Sequence, residues 1–100
     1  MQTLTLGDFA SHVNETFTVS LDHGQGHAPF TLVEARPMSE DVMLAGATRA
    51  PFALLFRNEA AIVFPQRIYP MQHGAMGEFG IFLVPVAREQ AGFLYQAIFN

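Results

Sequence analysis

The cleanest pattern of apolar and polar positions is the run Thr16-Phe-Thr-Val-Ser-Leu-Asp22. Phe17, Val19 and Leu21 share one face and Thr16, Thr18, Ser20 and Asp22 the other, which predicts a half-buried strand over 16–22. Just upstream, Asp8-Phe-Ala-Ser-His-Val13 sets Phe9 and Val13 four apart, the spacing of one short helical turn, with Asp8 or Gly7 as its cap. Gly24 and Gly26 make His23-Gly-Gln-Gly-His27 a turn, because glycine takes positive φ at little cost. Phe30-Thr-Leu-Val-Glu-Ala35 then returns as a second strand, so residues 16–35 read as a hairpin.

Residues 37–50 carry no period and read as the longest irregular stretch, with Glu40 to Leu44 the part most able to turn helical. Pro51-Phe-Ala-Leu-Leu-Phe56 predicts a third strand, Arg57-Asn-Glu59 a turn, and Ile62-Val-Phe64 a short strand. Arg67-Ile-Tyr69 and Met71-Gln-His73 flank Pro70, which cannot donate to a ladder and so predicts an edge strand or a bulge. Residues 78–86 form a long strand, 88–92 the last turn, and 93–99 the closing strand. Six to seven short strands at near-regular spacing predict an all-β fold, a small antiparallel barrel or sandwich with one short N-terminal helical turn. Residues 1–100 form one domain.

The two C-terminal strands differ from the first in being apolar on both faces. Phe79, Ile81 and Leu83 oppose Phe82, Val84 and Val86, and Phe93, Tyr95 and Phe99 oppose Leu94 and Ile98. A chain of this size buries only about 60–70% of its surface, so two-sided burial is hard to arrange internally. Either the helical turn or the 37–50 segment covers the second face, or that face is an interface. The interface candidates are Phe82, Val84, Val86, Leu94 and Ile98. Periodicity alone does not choose between the two faces, since a one-residue slip exchanges them.

Composition narrows the partners. Half the residues are apolar and 14% are charged, against about 25% in a typical domain, which excludes a disordered chain. A net charge of −4, with five arginines and no lysine, argues against nucleic acid and anionic membranes. The absence of cysteine excludes a disulfide scaffold, a thiol nucleophile and a cysteine zinc site. No uninterrupted apolar run approaches the ~20 residues of a membrane helix, and the first residues lack the pattern of a signal peptide. The default expectation is the cytoplasm, with signal-independent export left open. Asn14-Glu15-Thr16 spells a glycosylation sequon, read as chance in that setting.

Candidate chemistry is sparse. His23 and His27 would align only on a helix, which Gly24 and Gly26 oppose, so no metal site is expected from them. The carboxylates fall at strand ends and turns, in no spacing that demands an acid–base pair. The serines lack a nucleophile elbow, and Gly24-Gln-Gly26 lacks the context of a phosphate loop. The five arginines lie at strand ends as solvated gatekeepers, and the methionines read as core fillers. The expectation is a non-catalytic module with no cofactor, either a protein-interaction domain or a β-barrel that binds a small apolar or carbohydrate ligand in its mouth. In the second case Gln66, Tyr69 and His73 would make the polar contacts.

From Pro51-Phe-Ala-Leu-Leu-Phe56 onward the chain also resembles a known family. The similarity continues through Pro65-Gln66, Tyr69, His73, Gly77, Phe82-Leu-Val-Pro-Val86, Tyr95 and Ile98-Phe-Asn100, and upstream through Phe9 and Glu15-Thr-Phe17. The family it resembles is DUF6916, small bacterial domains of about this length without an assigned activity. Genes of that family often lie near those of phage-tail-collar, fibre-like proteins. The resemblance therefore implies an accessory or structural partner of such fibres, or a homo-oligomer, and it supplies no catalytic residue. The matching positions are mostly aromatics, glycines and prolines, residues that specify a fold.

Overall fold

An amphipathic strand needs an apolar partner for its inner face, and an open sheet also leaves two unpaired edges. This chain meets both demands by closing its sheet on itself. The computed structural model describes residues 4–21, 26–38 and 51–99. One short helix, α1 (Leu6–Ala10), precedes strands β1 (Thr16–Ser20), β2 (His27–Pro37), β3 (Phe52–Asn58), β4 (Arg67–His73), β5 (Gly77–Glu89) and β6 (Gly92–Phe99). They form a closed antiparallel barrel in the order β1-β2-β3-β6-β5-β4. Of the two architectures predicted, the barrel is the one formed. No helix among the described residues is long and apolar enough to cross a membrane.

The predicted 16–35 hairpin is present, with Phe17 paired to Phe30 and Val19 to Ala28. Several boundaries moved. β1 ends at Ser20, β2 runs on to Pro37, and β3 continues through Arg57 and Asn58, which were expected to turn. β5 likewise extends to Glu89, leaving only Gln90 and Ala91 as the turn before β6. Ile62-Val-Phe64 is not a strand. Of the predicted turn over 23–27, His27 instead opens β2 and residues 23–25 lie outside the described residues, as do residues 39–50, most of the irregular stretch. Pro70 creates neither a free edge nor a break in β4, where it sits opposite Gly80 on β5. On the other side, the β1–β4 ladder covers only Thr18 with Gln72 and Val19 with Met71, so it ends beside the proline that has no N–H to offer.

Inward positions fill the barrel with Phe17, Val19, Phe30, Leu32, Leu54, Phe56, Met71, Leu83 and Tyr95, all essentially inaccessible. The two ends are closed differently. At one end α1 inserts Phe9 among Phe17, Phe52, Phe79 and Phe99, with ring centroids 5.6 to 6.3 Å away. The helix cap is Thr5, two to three residues earlier than the predicted Gly7 or Asp8. The Asp8 carboxylate reaches back to accept from the Thr5 backbone N–H at 2.8 Å and its hydroxyl at 3.2 Å, so Asp8 completes the cap from inside the helix.

The other end is covered by residues 59–66, which follow the far end of β3. Two tyrosines hold that segment by their polar tips. The Phe64 N–H donates to the Tyr95 hydroxyl at 2.8 Å, and the Tyr69 hydroxyl donates to the Pro65 carbonyl at 2.6 Å. Burial pushes both phenols above their ordinary value of 10.0. The buried Asn58 ties the same corner, donating to the Pro29 carbonyl at 2.8 Å and accepting from the Ala60 N–H at 2.9 Å. β6 starts against this corner. Gly92 has φ +136°, and a Cβ there would lie 2.1 Å from the Asn58 carbonyl oxygen.

Three substitutions test this packing. Gly92→Ala should destabilise the fold by roughly 3 kcal/mol, through both backbone strain and the clash with main chain. Gly80→Ala, whose Cβ would meet only the Ile68 side chain at 3.5 Å, should stay within about 0.5 kcal/mol in the same urea titration. Tyr95→Phe should cost about 1 to 2 kcal/mol, because it leaves the Phe64 N–H without its acceptor. Equal stability of the phenylalanine variant would show that the hydroxyl does not hold the 59–66 segment.

Candidate functional site

The described chain offers two features beyond its core, an apolar outer face and a small polar cluster. The outer face lies on β4, β5 and β6, three neighbours in the barrel. Alternation along β5 sends Ile81 and Leu83 inward and Phe82 outward, while β6 sends Tyr95 and Ala97 inward and Ile98 outward. This fixes the choice that periodicity left open: Phe82, Val84, Val86, Leu94 and Ile98 form the outer set. Phe82, Val86 and Ile98 are 48%, 48% and 47% exposed, whereas Val84 and Leu94 are half-buried. Ile68 on β4 joins them at 69% exposure and pairs in register with Phe82. α1 does not cover this face, since its aromatic contacts are at the barrel end. The alternative cover, 37–50, lies almost wholly outside the described residues.

Of the alternative ligand set, Gln66 and Tyr69 lie at the entry end of β4 and His73 at its other end. Tyr69 is buried with its hydroxyl committed to the Pro65 carbonyl, Gln66 lies exposed just before β4, and His73 ends that strand. An open surface cleft of about 410 Å³ lies between Glu59 and the β5–β6 turn at Arg88, Glu89 and Gln90, and none of the three residues lines it. The barrel interior is occupied by aromatic and aliphatic side chains.

His73 instead belongs to a cluster that sequence reasoning missed. The chain leaves α1 through His12, and Asn14 takes a left-handed conformation at φ 74°, which asparagine tolerates better than most residues. That turn sets Glu15 at the foot of β1, with its carbonyl accepting from the Leu32 N–H at 3.0 Å. One carboxylate oxygen, Glu15 Oε1, then faces two rings, His12 Nδ1 at 2.9 Å and His73 Nε2 at 2.7 Å. The His73 ring lies 4.5 Å from the Phe17 ring and 4.5 Å from the His12 ring. Its side chain is only 9% exposed, against 20% for His12 and 47% for Glu15.

Hydrogen bonding assigns the proton on His73. Its Nδ1 accepts from the Ala75 N–H at 3.1 Å, so in the neutral ring Nε2 carries the hydrogen and donates to Glu15. Hydrogen bonds from His73 first and His12 second hold the Glu15 carboxyl below its ordinary value of 4.5. Position explains why the cluster escaped notice. His12 and Glu15 are local, but His73 is 58 residues further along the chain from Glu15. Only the β1–β4 closure brings it there.

The fold and these features define a small closed six-strand barrel with a packed interior and its distinctive chemistry on the outside. The profile of the family described as "Domain of unknown function (DUF6916)" matches residues 4–99, and the chain belongs to that family. No curated protein and no solved structure matches it.

The depressed carboxyl gives a signed pH prediction. A carboxylate favoured in the folded state contributes stability above its unfolded value of about 4.5, and that contribution is lost as pH falls through the lower folded value. Unfolding midpoints should therefore fall with pH below about 4.5 less steeply in Glu15→Gln than in the parent chain. Parallel pH profiles would show that the two histidines do not favour the ionised carboxyl.

Proposed function

We propose that this protein is a non-catalytic interaction and assembly module that docks through the outer face of β4, β5 and β6, with a second copy of the chain as the partner. The observation that carries this reading is the row of Ile68, Phe82, Val86 and Ile98, each 47% to 69% exposed on three adjoining strands. The spans 68–72, 79–87 and 92–99 of those strands contain no charged residue. Solvated sheet faces normally carry polar and charged side chains that keep other sheets away. A face without charge gains nothing from an ionic partner and is complementary to another face like itself. A two-fold axis would bring the same patch together from both subunits. The fibre-like tail-collar proteins that the family resemblance implies are the second partner class, and the same face would serve them.

The test is solution mass by light scattering over a concentration series. The native chain should form a dimer or larger closed assembly. Phe82→Glu and Ile98→Glu should each raise the dissociation constant by about 30-fold, equivalent to about 2 kcal/mol, while circular dichroism stays native. A parent chain that remains monomeric at high concentration would remove the second copy as partner. Unfolding of both variants would place that face in the core and remove the reading altogether.

A further inference from the structure

We infer that His12, Glu15 and His73 form a surface site for a single divalent transition-metal ion, with zinc the best fit. The inference is independent of the docking face and rests on the convergence of three donors of suitable type. His12 Nδ1, a Glu15 carboxylate oxygen and His73 Nε2 all lie within 4.8 Å of one another. Two imidazoles and one carboxylate are a donor set that zinc takes readily, leaving a fourth tetrahedral position for water. Zinc bonds of about 2.0–2.1 Å place tetrahedral donors about 3.3 Å apart. The two hydrogen-bonded pairs, at 2.9 and 2.7 Å, therefore need to open by about half an ångström. The remaining pair of donors, the two ring nitrogens, has to close.

The surroundings favour that adjustment. The His73 ring, the least exposed of the three, packs against Phe17 and serves as the anchor, while the more exposed His12 and Glu15 can move to meet the ion. Both donors are partly exposed, which gives an ion access from solvent. A dication replaces the two hydrogen bonds that now converge on Glu15 Oε1, and it neutralises the carboxylate more fully than they do.

Coordination has one structural consequence that a loose surface association lacks. Each ring must stay neutral and present a bare nitrogen to the metal. His12 therefore moves its proton from Nδ1 to Nε2, and His73 moves its proton from Nε2 to Nδ1. The His73 Nδ1 now accepts from the Ala75 N–H at 3.1 Å, and once protonated it can no longer do so. Metal binding must break that contact and shift the turn at 74–76, which begins at Gly74 and is followed by Gly77.

The experiment is zinc chloride titrated into the tag-free, chelator-treated full chain, followed by calorimetry, thermal unfolding and amide NMR. The expected result is one zinc per chain, a rise in Tm of about 4 °C or more, and displacement of the Ala75 amide resonance. His12→Ala should abolish the saturable event, since it removes a partly exposed ligand without touching the β1–β4 seam. Glu15→Gln, which keeps the size and a hydrogen-bonding oxygen, should weaken binding at least tenfold. Loss of binding on substitution of His23 and His27, with His12→Ala unaffected, would overturn the assignment. So would the absence of saturable binding, or binding that leaves the Ala75 amide in place.

Discussion

Closing a six-strand sheet requires β1 and β4 to meet, and here they do so through two residue pairs, Thr18 with Gln72 and Val19 with Met71. The other five seams carry between five and seven pairs each. The short ladder has two causes, a β1 of only five residues and a proline at position 70 that ends donation. If the seam opened, two strand edges would be unpaired and the apolar interior would be wetted. Side chains complete what the backbone leaves short. The His73–Glu15 hydrogen bond and the His73–Phe17 ring contact continue the closure past the end of the ladder.

The rest of the molecule follows from that closure. A barrel of six strands has room for little but its own side chains, and its two ends need covers. α1 supplies one through Phe9, and the 59–66 segment supplies the other through Phe64. Each cover uses a polar device in keeping with its exposure. The helix is fixed by an exposed Asp8–Thr5 cap, whereas the 59–66 segment hangs on two buried tyrosine hydroxyls whose alternatives would be unpaired polar groups. With the interior filled by its own side chains, the docking proposed above falls to the outer surface. Under that proposal the face is the one formed by β4, β5 and β6, whose spans 68–72, 79–87 and 92–99 carry no charge.

The His12–Glu15–His73 cluster joins structure and chemistry. Glu15 and His73 extend the seam, and the same two side chains, with His12, are the proposed metal donors. An ion held there binds the closed barrel far better than the open chain, in which His73 is remote from the other two. Under that proposal metal occupancy and barrel closure are linked equilibria, each favouring the other.

The two-residue period of 16–22 and the two-sided strands at 78–86 and 93–99 determined the strand assignments, because side-chain alternation is a local property of extended backbone. The family resemblance was likewise legible from aromatics, glycines and prolines spread along the chain. Boundaries were less legible. Arg57 and Asn58 read as a turn but lie in β3, since pairing with Leu94 and Phe93 on β6 overrides their weak local preference. Pro70 read as an edge or a bulge; it is paired with Gly80 within the β4–β5 ladder, while the β1–β4 ladder ends beside it. Which apolar face pointed outward was also undecided locally, because a single-residue shift in register exchanges the faces at no cost to the pattern. Only the tertiary structure settled it, by enclosing Ile81, Leu83 and Tyr95. The polar cluster was least legible of all: its decisive member lies 58 residues away from Glu15, and a contact of that range exists only once the barrel has closed.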